Sequence, residues 1–133
     1  MATKSYKKIL IVEDSPAQAL ALGQMLEQEG LQVLWAADGL AGVTMAQKYL
    51  PDIIVLDIEM PGINGLEACQ RLKESEQTAE IPIIMLTVRD DAATVIAGIG
   101  QGAIDFIPKD AFSSAVLLET LRQLGITEKD DVQ

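Results

Sequence analysis

The chain has 133 residues, of which 49% are hydrophobic, and its 20 acidic and 10 basic side chains give a formal net charge of −10. This composition predicts one folded domain, and so acidic a surface argues against nucleic acid or an anionic membrane as a direct partner. The one cysteine, Cys69, excludes an intrachain disulfide, and the short apolar runs and polar first residues predict a cytoplasmic protein without a membrane helix or signal peptide.

Five short apolar segments predict the strands of a β-sheet. Three are uninterrupted and rich in β-branched residues, as in strands that are buried on both faces: Ile9–Val12, Ile53–Leu56 and Ile83–Leu86. The other two, Val33–Ala37 and Ala103–Ile107, are mixed or interrupted by a charge, which predicts edge strands.

The segments between the strands predict five helices. The first begins at Ser15-Pro16, where an N-cap residue precedes proline at the first helical position, and it ends near Gln28, before Gly30. The other four are predicted from Asp38-Gly39 to about Leu50, Asn64 to about Glu74, Asp91 to about Gln101, and Ala111 to Leu124.

Alternation of strands and helices predicts an α/β fold with a parallel sheet and helices on both faces, because right-handed crossovers alternate between the faces. With the two mixed strands at the edges, the simplest strand order is 2-1-3-4-5, a doubly wound, flavodoxin-like arrangement. Residues 1–125 are predicted to form the domain, and 126–133 a short charged tail.

Polar side chains collect at the carboxyl ends of the predicted strands, where open α/β sheets bind ligands. Glu13 and Asp14 follow the first strand, Asp57 the third, Thr87 the fourth and Lys109 the fifth. Each has an ordinary structural explanation by itself, such as a helix-start acid, a strand-ending threonine or a surface lysine. Together they indicate a site, because clustered carboxylates repel one another unless a cation lies among them.

The residue types predict the chemistry of this site. Carboxylate oxygens without histidine or cysteine suit Mg²⁺, which binds one or two carboxylates together with phosphate. An aspartate beside Mg²⁺ can act as a nucleophile and form an aspartyl-phosphate, while a lysine and a threonine hydroxyl can hold phosphoryl oxygens. The cluster therefore predicts phosphoryl transfer.

Four motifs occur in order, within a resemblance that covers residues 8–124: ILIVED at Ile9–Asp14, DIIVLDIEMPG at Asp52–Gly62 followed by Asn64-Gly65, IPIIMLT at Ile81–Thr87, and GAIDFIPK at Gly102–Lys109. With these motifs the chain resembles the receiver domains of two-component response regulators, particularly the stand-alone, chemotaxis-type regulators.

The resemblance implies a Mg²⁺-dependent phosphoacceptor site. Asp57 would accept a phosphoryl group from a histidine of a sensor kinase or a phosphotransfer protein. Asp14 and Asp57 would bind Mg²⁺ directly together with the backbone carbonyl of Glu59, and Glu13 would act through metal-bound water. The protein would catalyse only its own phosphorylation and dephosphorylation.

The resemblance also implies a switch and an output surface. Thr87 and Lys109 would hold phosphoryl oxygens, and inward movement of Thr87 would let Phe106 turn inward. A downstream protein would dock on the fourth helix, fifth strand and fifth helix of a monomer or phosphorylation-dependent dimer without an attached output domain.

Some positions depart from the commonest pattern of that family. Asp110 follows Lys109 where a proline after a cis peptide bond is usual, and Phe106 stands where tyrosine is frequent. Glu59 and Arg89 are hypothesised to pair across the mouth of the site and slow attack by water. A second hypothesis is that the glycines of Ala97–Gly102 soften the end of the fourth helix.

Three other functions are alternatives to the switch. An aspartyl phosphohydrolase would need further catalytic motifs and a substrate cap, for which this length leaves little room. A flavin-binding protein would need a phosphate loop after the first strand, where the acidic Glu13 and Asp14 stand. A scaffold without phosphorylation would have no need for Asp14, Asp57, Thr87 and Lys109 together.

Overall fold

The computed structural model describes residues 7–60, 62–87, 92–109 and 113–127. These ranges contain ten elements, which alternate regularly between strand and helix. In chain order they are β1 (Lys8–Val12), α1 (Pro16–Gln28), β2 (Gln32–Ala36), α2 (Gly39–Tyr49), β3 (Ile53–Asp57), α3 (Gly65–Glu74), β4 (Ile83–Thr87), α4 (Ala92–Gly100), β5 (Asp105–Pro108) and α5 (Ser113–Gln123).

The strands form one parallel sheet in the order β2-β1-β3-β4-β5. Ile11 of β1 lies opposite Trp35 of β2 on one side and Val55 of β3 on the other. The predicted fold class, the strand order and the edge positions of β2 and β5 are therefore confirmed. Within the described ranges, no helix is long and apolar enough to cross a membrane.

The two faces of the sheet carry separate hydrophobic clusters, which explains the uninterrupted apolar runs. Leu10 and Val12 of β1 pack in a cluster with residues of α2 and α3, whereas Ile9 and Ile11 pack with residues of α1 and α5. Successive side chains of a strand point to opposite faces, so a strand covered on both sides needs apolar residues throughout.

The helix ends follow the predicted capping residues. The Ser15 hydroxyl accepts a hydrogen bond from the Gln18 amide at the start of α1, and the Asp38 carboxylate accepts one from the Ala41 amide at the start of α2. Helix α2 ends at Leu50, whose left-handed backbone (φ 48°) precedes Pro51. The predicted first residues of α4 and α5, Asp91 and Ala111, lie outside the described residues.

Strand β5 begins two residues later than predicted. Ala103 and Ile104 form the turn between α4 and β5: the Ala103 amide donates to the Gly98 carbonyl and the Ile104 amide to the Ile83 carbonyl. Ala103 is buried in that turn, so its apolar character reflects burial and not strand geometry.

The chain continues to pack beyond α5. The Ile126 amide donates to the Leu121 carbonyl at 2.9 Å, and the Ile126 side chain packs against the cluster beneath α1 and α5. Thr127 is buried as well. The division into a domain of residues 1–125 and a tail of 126–133 stays a prediction, because 128–133 lie outside the described residues.

Candidate functional site

Four of the predicted site residues lie at the carboxyl edge of the sheet, three of them buried and Lys109 partly buried. Parallel strands all end at this edge, so Glu13, Asp57, Thr87 and Lys109 come together although they are far apart in the sequence. Glu13, Asp57 and Thr87 are only 3%, 4% and 1% exposed, respectively. Ionisable groups that are buried this deeply need charged or hydrogen-bonding partners.

Lys109 supplies that partner to both buried carboxylates. Its Nζ lies 2.8 Å from Asp57 Oδ2 and 2.9 Å from Glu13 Oε1, and it also donates to Gln18 Oε1 at 3.0 Å. The backbone amide of Lys109 donates to the Thr87 carbonyl at 2.7 Å, which fixes the lysine beyond the end of β5. One ammonium group thus links the ends of β1 and β3.

Glu13, Asp14 and Asp57 form an acidic cluster beside this lysine. Each offers a carboxylate oxygen, and these three oxygens all lie within 4.8 Å of one another. Asp14 is exposed, whereas the other two are buried. The set consists of hard oxygen donors with one open side, which fits Mg²⁺ because that ion keeps several waters and takes few protein ligands.

Burial and the neighbouring charges set the ionisation of the site. Burial raises the pKa of the Asp57 carboxyl from 3.8 to about 6, although the hydrogen bond and charge of Lys109 act against this rise. Burial lowers the pKa of Lys109, but its bonds to Asp57 and Glu13 outweigh that effect and leave its pKa above 10.5. Lys109 therefore remains charged at neutral pH.

Glu59 contacts the site through both its backbone and its side chain. Its amide donates to Asp57 Oδ1 at 3.1 Å, which orients the carboxylate from the side opposite Lys109. Its own carboxylate accepts the hydroxyl hydrogen of Thr87, at 3.0 Å from Oε2. The hypothesised partner Arg89 and the residue Asp110 both lie outside the described residues, so the pairing and the peptide after Lys109 stay open.

The start of α3 turns back closely over the end of β3. The Gly65 amide donates to the Ile58 carbonyl at 3.0 Å, and a methyl group on Gly65 would lie 2.5 Å from the Asp57 carbonyl oxygen. Only glycine allows this approach. Asn64 caps the helix by accepting from the Glu67 amide at 2.9 Å, so the Asn64-Gly65 pair explains how the loop after Asp57 returns to the sheet.

Phe106, the predicted switch residue, is partly buried against α4. Its ring occupies the space that a Cβ on Gly98 would need, and Met85 of β4 lies beside the same position. Gly102 ends the turn after α4 with φ 99°. Gly98 and Gly102 therefore have separate structural reasons, whereas a Cβ on Gly100 would meet no atom within 4 Å, and the predicted softness of the end of α4 stays a prediction.

Sequence reasoning missed two contacts at the site. Gln18, in the first turn of α1, accepts a hydrogen bond from Lys109, and its position three residues after the N-cap is the available signal. The second contact involves Trp35, on the edge strand β2. In the structure its indole N–H donates to the backbone carbonyl of Glu13 at 2.7 Å.

This arrangement has close counterparts among known proteins. The family described as response regulator receiver domain matches residues 9–122. The chain therefore belongs to this family. It is 40% identical over 114 residues to the protein PilH of Pseudomonas aeruginosa, which covers 86% of this chain and 93% of PilH. The chain spans about half the length of several other relatives, among them transcriptional regulators.

Solved receiver domains have the same fold. The chemotaxis protein CheY4 of Vibrio cholerae superposes with a TM-score of 0.84 at 31% identity, over 90% of this chain and 98% of CheY4. The receiver domain of sensor histidine kinase PA1611 from P. aeruginosa superposes with a TM-score of 0.81 at 28% identity, over 90% and 97% of the two chains. That domain has a magnesium ion coordinated in its active-site cleft.

Family membership confirms the resemblance on which the sequence analysis relied. The chain is a receiver domain of the two-component response regulator type, with the flavodoxin-like fold, and receiver domains bind Mg²⁺ at an acidic site such as that of Glu13, Asp14 and Asp57.

Proposed function

We propose that this receiver domain is a switch that is turned on by phosphorylation of Asp57, with a phosphohistidine of a sensor kinase or phosphotransfer protein as donor. The observation that carries this proposal is the position of the Asp57 carboxylate, buried at the carboxyl edge of the sheet between two acidic side chains and one lysine. A carboxylate that served only structure would have no need of the second and third acids beside it.

The chain's own residues would prepare Asp57 for this reaction. The Glu59 amide holds Oδ1 at 3.1 Å and Lys109 holds Oδ2 at 2.8 Å, so the carboxylate plane is fixed before a donor arrives. Asp14, Asp57 and the Glu59 carbonyl would hold Mg²⁺ directly, with Glu13 acting through water. When bound, the ion would neutralise negative charge on the transferring phosphoryl group.

The transfer is balanced in atoms and charge. One Asp57 oxygen forms a bond to phosphorus, the bond between phosphorus and the donor's histidine nitrogen breaks, and its electron pair remains on that nitrogen, which then takes a proton. Lys109 and the Thr87 hydroxyl would then bind oxygens of the new phosphoryl group. Hydrolysis of the acyl phosphate by water would return Asp57 to its carboxylate and release inorganic phosphate.

The output would be a change in binding at the surface formed by α4, β5 and α5. Large apolar side chains are exposed there: Ile96 and Ile99 on α4, Ile104 before β5 and Val116 on α5. Several exposed apolar residues on neighbouring elements are typical of a protein-binding surface. We propose that phosphorylation moves Thr87 and Phe106 and so alters this surface for a downstream protein in the cytoplasm.

The direct test is mass spectrometry after incubation with acetyl phosphate and Mg²⁺. We expect a gain of about 80 Da, the mass of one phosphoryl group, that is lost in Asp57→Ala. Asp52→Ala is the matched control, because Asp52 lies before the same strand at its other end and accepts a hydrogen bond from the Lys8 amide. Phosphorylation of Asp57→Ala, or none in the unaltered protein with any donor, would contradict the proposal and favour a scaffold.

A further inference from the structure

Trp35 connects the edge strand β2 to the loop that carries the acidic residues. Its indole N–H donates to the Glu13 carbonyl at 2.7 Å, and the Glu13 amide donates to the carbonyl of the neighbouring Ala36 at 3.0 Å. Glu13 is therefore held by β2 on both sides of its own Cα. The amide contact continues the ladder of the sheet, whereas the carbonyl contact depends on one side chain.

The carbonyl contact orients the backbone that leads into Asp14. The Glu13 carbonyl and the Asp14 amide belong to one rigid peptide plane, so a hydrogen bond to that oxygen sets the orientation of the plane and of the Asp14 Cα that follows. Asp14 is exposed, unlike Glu13 and Asp57. Within the described part of the chain, no side chain donates a hydrogen bond to the Asp14 carboxylate, so the protein positions Asp14 through its backbone.

The exposure of Trp35 also indicates that its N–H donor matters in addition to the packing of its ring. Trp35 is 42% exposed on an edge strand, so burial of its ring accounts for only part of its contacts. Trp35 and Val33 line a groove with Ala19 and Gly23 of α1, and the Trp35 N–H donates to the Glu13 carbonyl. Phenylalanine could line the groove equally well, but it has no donor for the Glu13 carbonyl.

We propose that Trp35 is a positioning residue for Mg²⁺, acting through the Glu13–Asp14 peptide plane. This inference rests on the proposed function, in which Asp14 is a direct ligand of the ion. A ligand whose backbone is positioned beforehand loses less conformational entropy on binding, and a hydrogen bond of this kind corresponds to about three- to tenfold in affinity. Loss of the indole N–H would weaken Mg²⁺ binding by this factor while the sheet remains intact.

The chain has a single tryptophan, so the N–H can be replaced without altering any other residue. Growth of a tryptophan auxotroph on benzothienylalanine exchanges the indole N–H for sulfur and retains the shape of the ring. The Mg²⁺ dissociation constant is then measured by calorimetry for the unaltered protein, the benzothienyl protein and Trp35→Phe. Val33→Ala is the matched control, because Val33 lines the same groove and packs near Gly23 of α1.

We expect about three- to tenfold weaker Mg²⁺ binding in both proteins that lack the N–H, and an unchanged constant in Val33→Ala. The Asp14 amide resonance of the metal-free protein should shift in the benzothienyl protein, and urea denaturation should show that it is still folded. Unchanged affinity in the benzothienyl protein, or equal weakening in Val33→Ala, would overturn the inference while phosphorylation of Asp57 stood. Absence of Mg²⁺ binding in the unaltered protein would overturn both.

Discussion

Thr87 donates its hydroxyl hydrogen to the carboxylate of Glu59, two positions beyond Asp57, with the oxygens 3.0 Å apart. In the proposed phosphorylated state the same hydroxyl would donate to a phosphoryl oxygen. The Glu59 carboxylate and the phosphoryl group would therefore compete for the Thr87 hydroxyl hydrogen. Because both are anionic, they also repel each other across the mouth of the site.

Replacement of Glu59 tests this competition. In Glu59→Ala we expect several-fold faster phosphorylation by acetyl phosphate, because the variant loses both an acceptor for the Thr87 hydroxyl and a negative charge near an anionic donor. The measurement is the rate of the mass gain at Asp57 under saturating Mg²⁺. Glu59→Gln is the control that retains a hydrogen-bond acceptor without the charge. If both variants react at the rate of the unaltered protein, Glu59 does not restrain Thr87.

The raised pKa of Asp57 predicts how stability depends on pH. The folded-state pKa, about 6, exceeds the ordinary value of 3.8, so the folded protein binds more protons than the unfolded chain between these two pH values. The free energy of unfolding of the metal-free protein therefore falls as pH rises through this window, and the loss from Asp57 is complete above about pH 6.

Asp57→Asn removes this ionisation. At pH 7.5 in EDTA we expect the variant to be more stable than the unaltered protein by about 2 kcal/mol, somewhat below the roughly 3 kcal/mol that corresponds to the whole rise in pKa. The difference should shrink as pH falls through 6 and vanish below 3.8, where the Asp57 carboxyl is protonated in both the folded and the unfolded state. Urea denaturation of both proteins at several pH values measures this difference in the free energy of unfolding. A difference that does not vary with pH would show that the ionisation of Asp57 is not its cause.

Lys109 and a divalent ion would interact with the same carboxylates. In Lys109→Met the buried Glu13 and Asp57 lose their cation, so we expect the metal-free protein to lose about 3 kcal/mol of stability. Mg²⁺ can then bind the two carboxylates without displacing the ammonium group, so the Mg²⁺ dissociation constant should fall about tenfold. Calorimetry and urea denaturation with and without Mg²⁺ measure both effects. Lys109→Arg retains the charge, and weaker Mg²⁺ binding in Lys109→Met would count against this competition.

Gly98 and Phe106 give a test of the packing behind the switch. A methyl group at position 98 would overlap the Phe106 ring, so Gly98→Ala should displace that ring and lower stability by about 1 to 3 kcal/mol. Gly100→Ala is the matched control in the same helix, because a Cβ there would meet no atom within 4 Å. The control should gain up to about 1 kcal/mol from helix propensity. Urea denaturation and the Phe106 ring resonances distinguish the two variants.

Much of the fold could be predicted from the sequence because one property, burial on both faces, determines β1, β3 and β4. The start of β5 could not, since Ala103 is buried in a turn and hydrophobicity alone does not distinguish a buried turn from a strand. Helix starts were predicted best where a single side chain, such as Ser15 or Asn64, satisfies the first amides.

The site was predictable at the level of the strand ends but not at the level of atoms. Parallel strands bring Asp57, Thr87 and Lys109 to one edge whatever their side chains do. The bond from Trp35 to Glu13, and that from Thr87 to Glu59, depend on rotamers and on which atom of a side chain reaches which acceptor. Sequence spacing contains no information on these choices.

Lys109 contacts Asp57, 52 residues earlier, and Glu13, 96 residues earlier. A growing polypeptide therefore presents both acids to solvent well before their lysine has left the ribosome. Until β5 docks on the sheet, the nascent chain lacks the cation that holds the acceptor carboxylate, and a histidine kinase would meet an unassembled acceptor. In the proposed function, the order of synthesis would thus limit phosphorylation to molecules in which β5 has docked on the sheet.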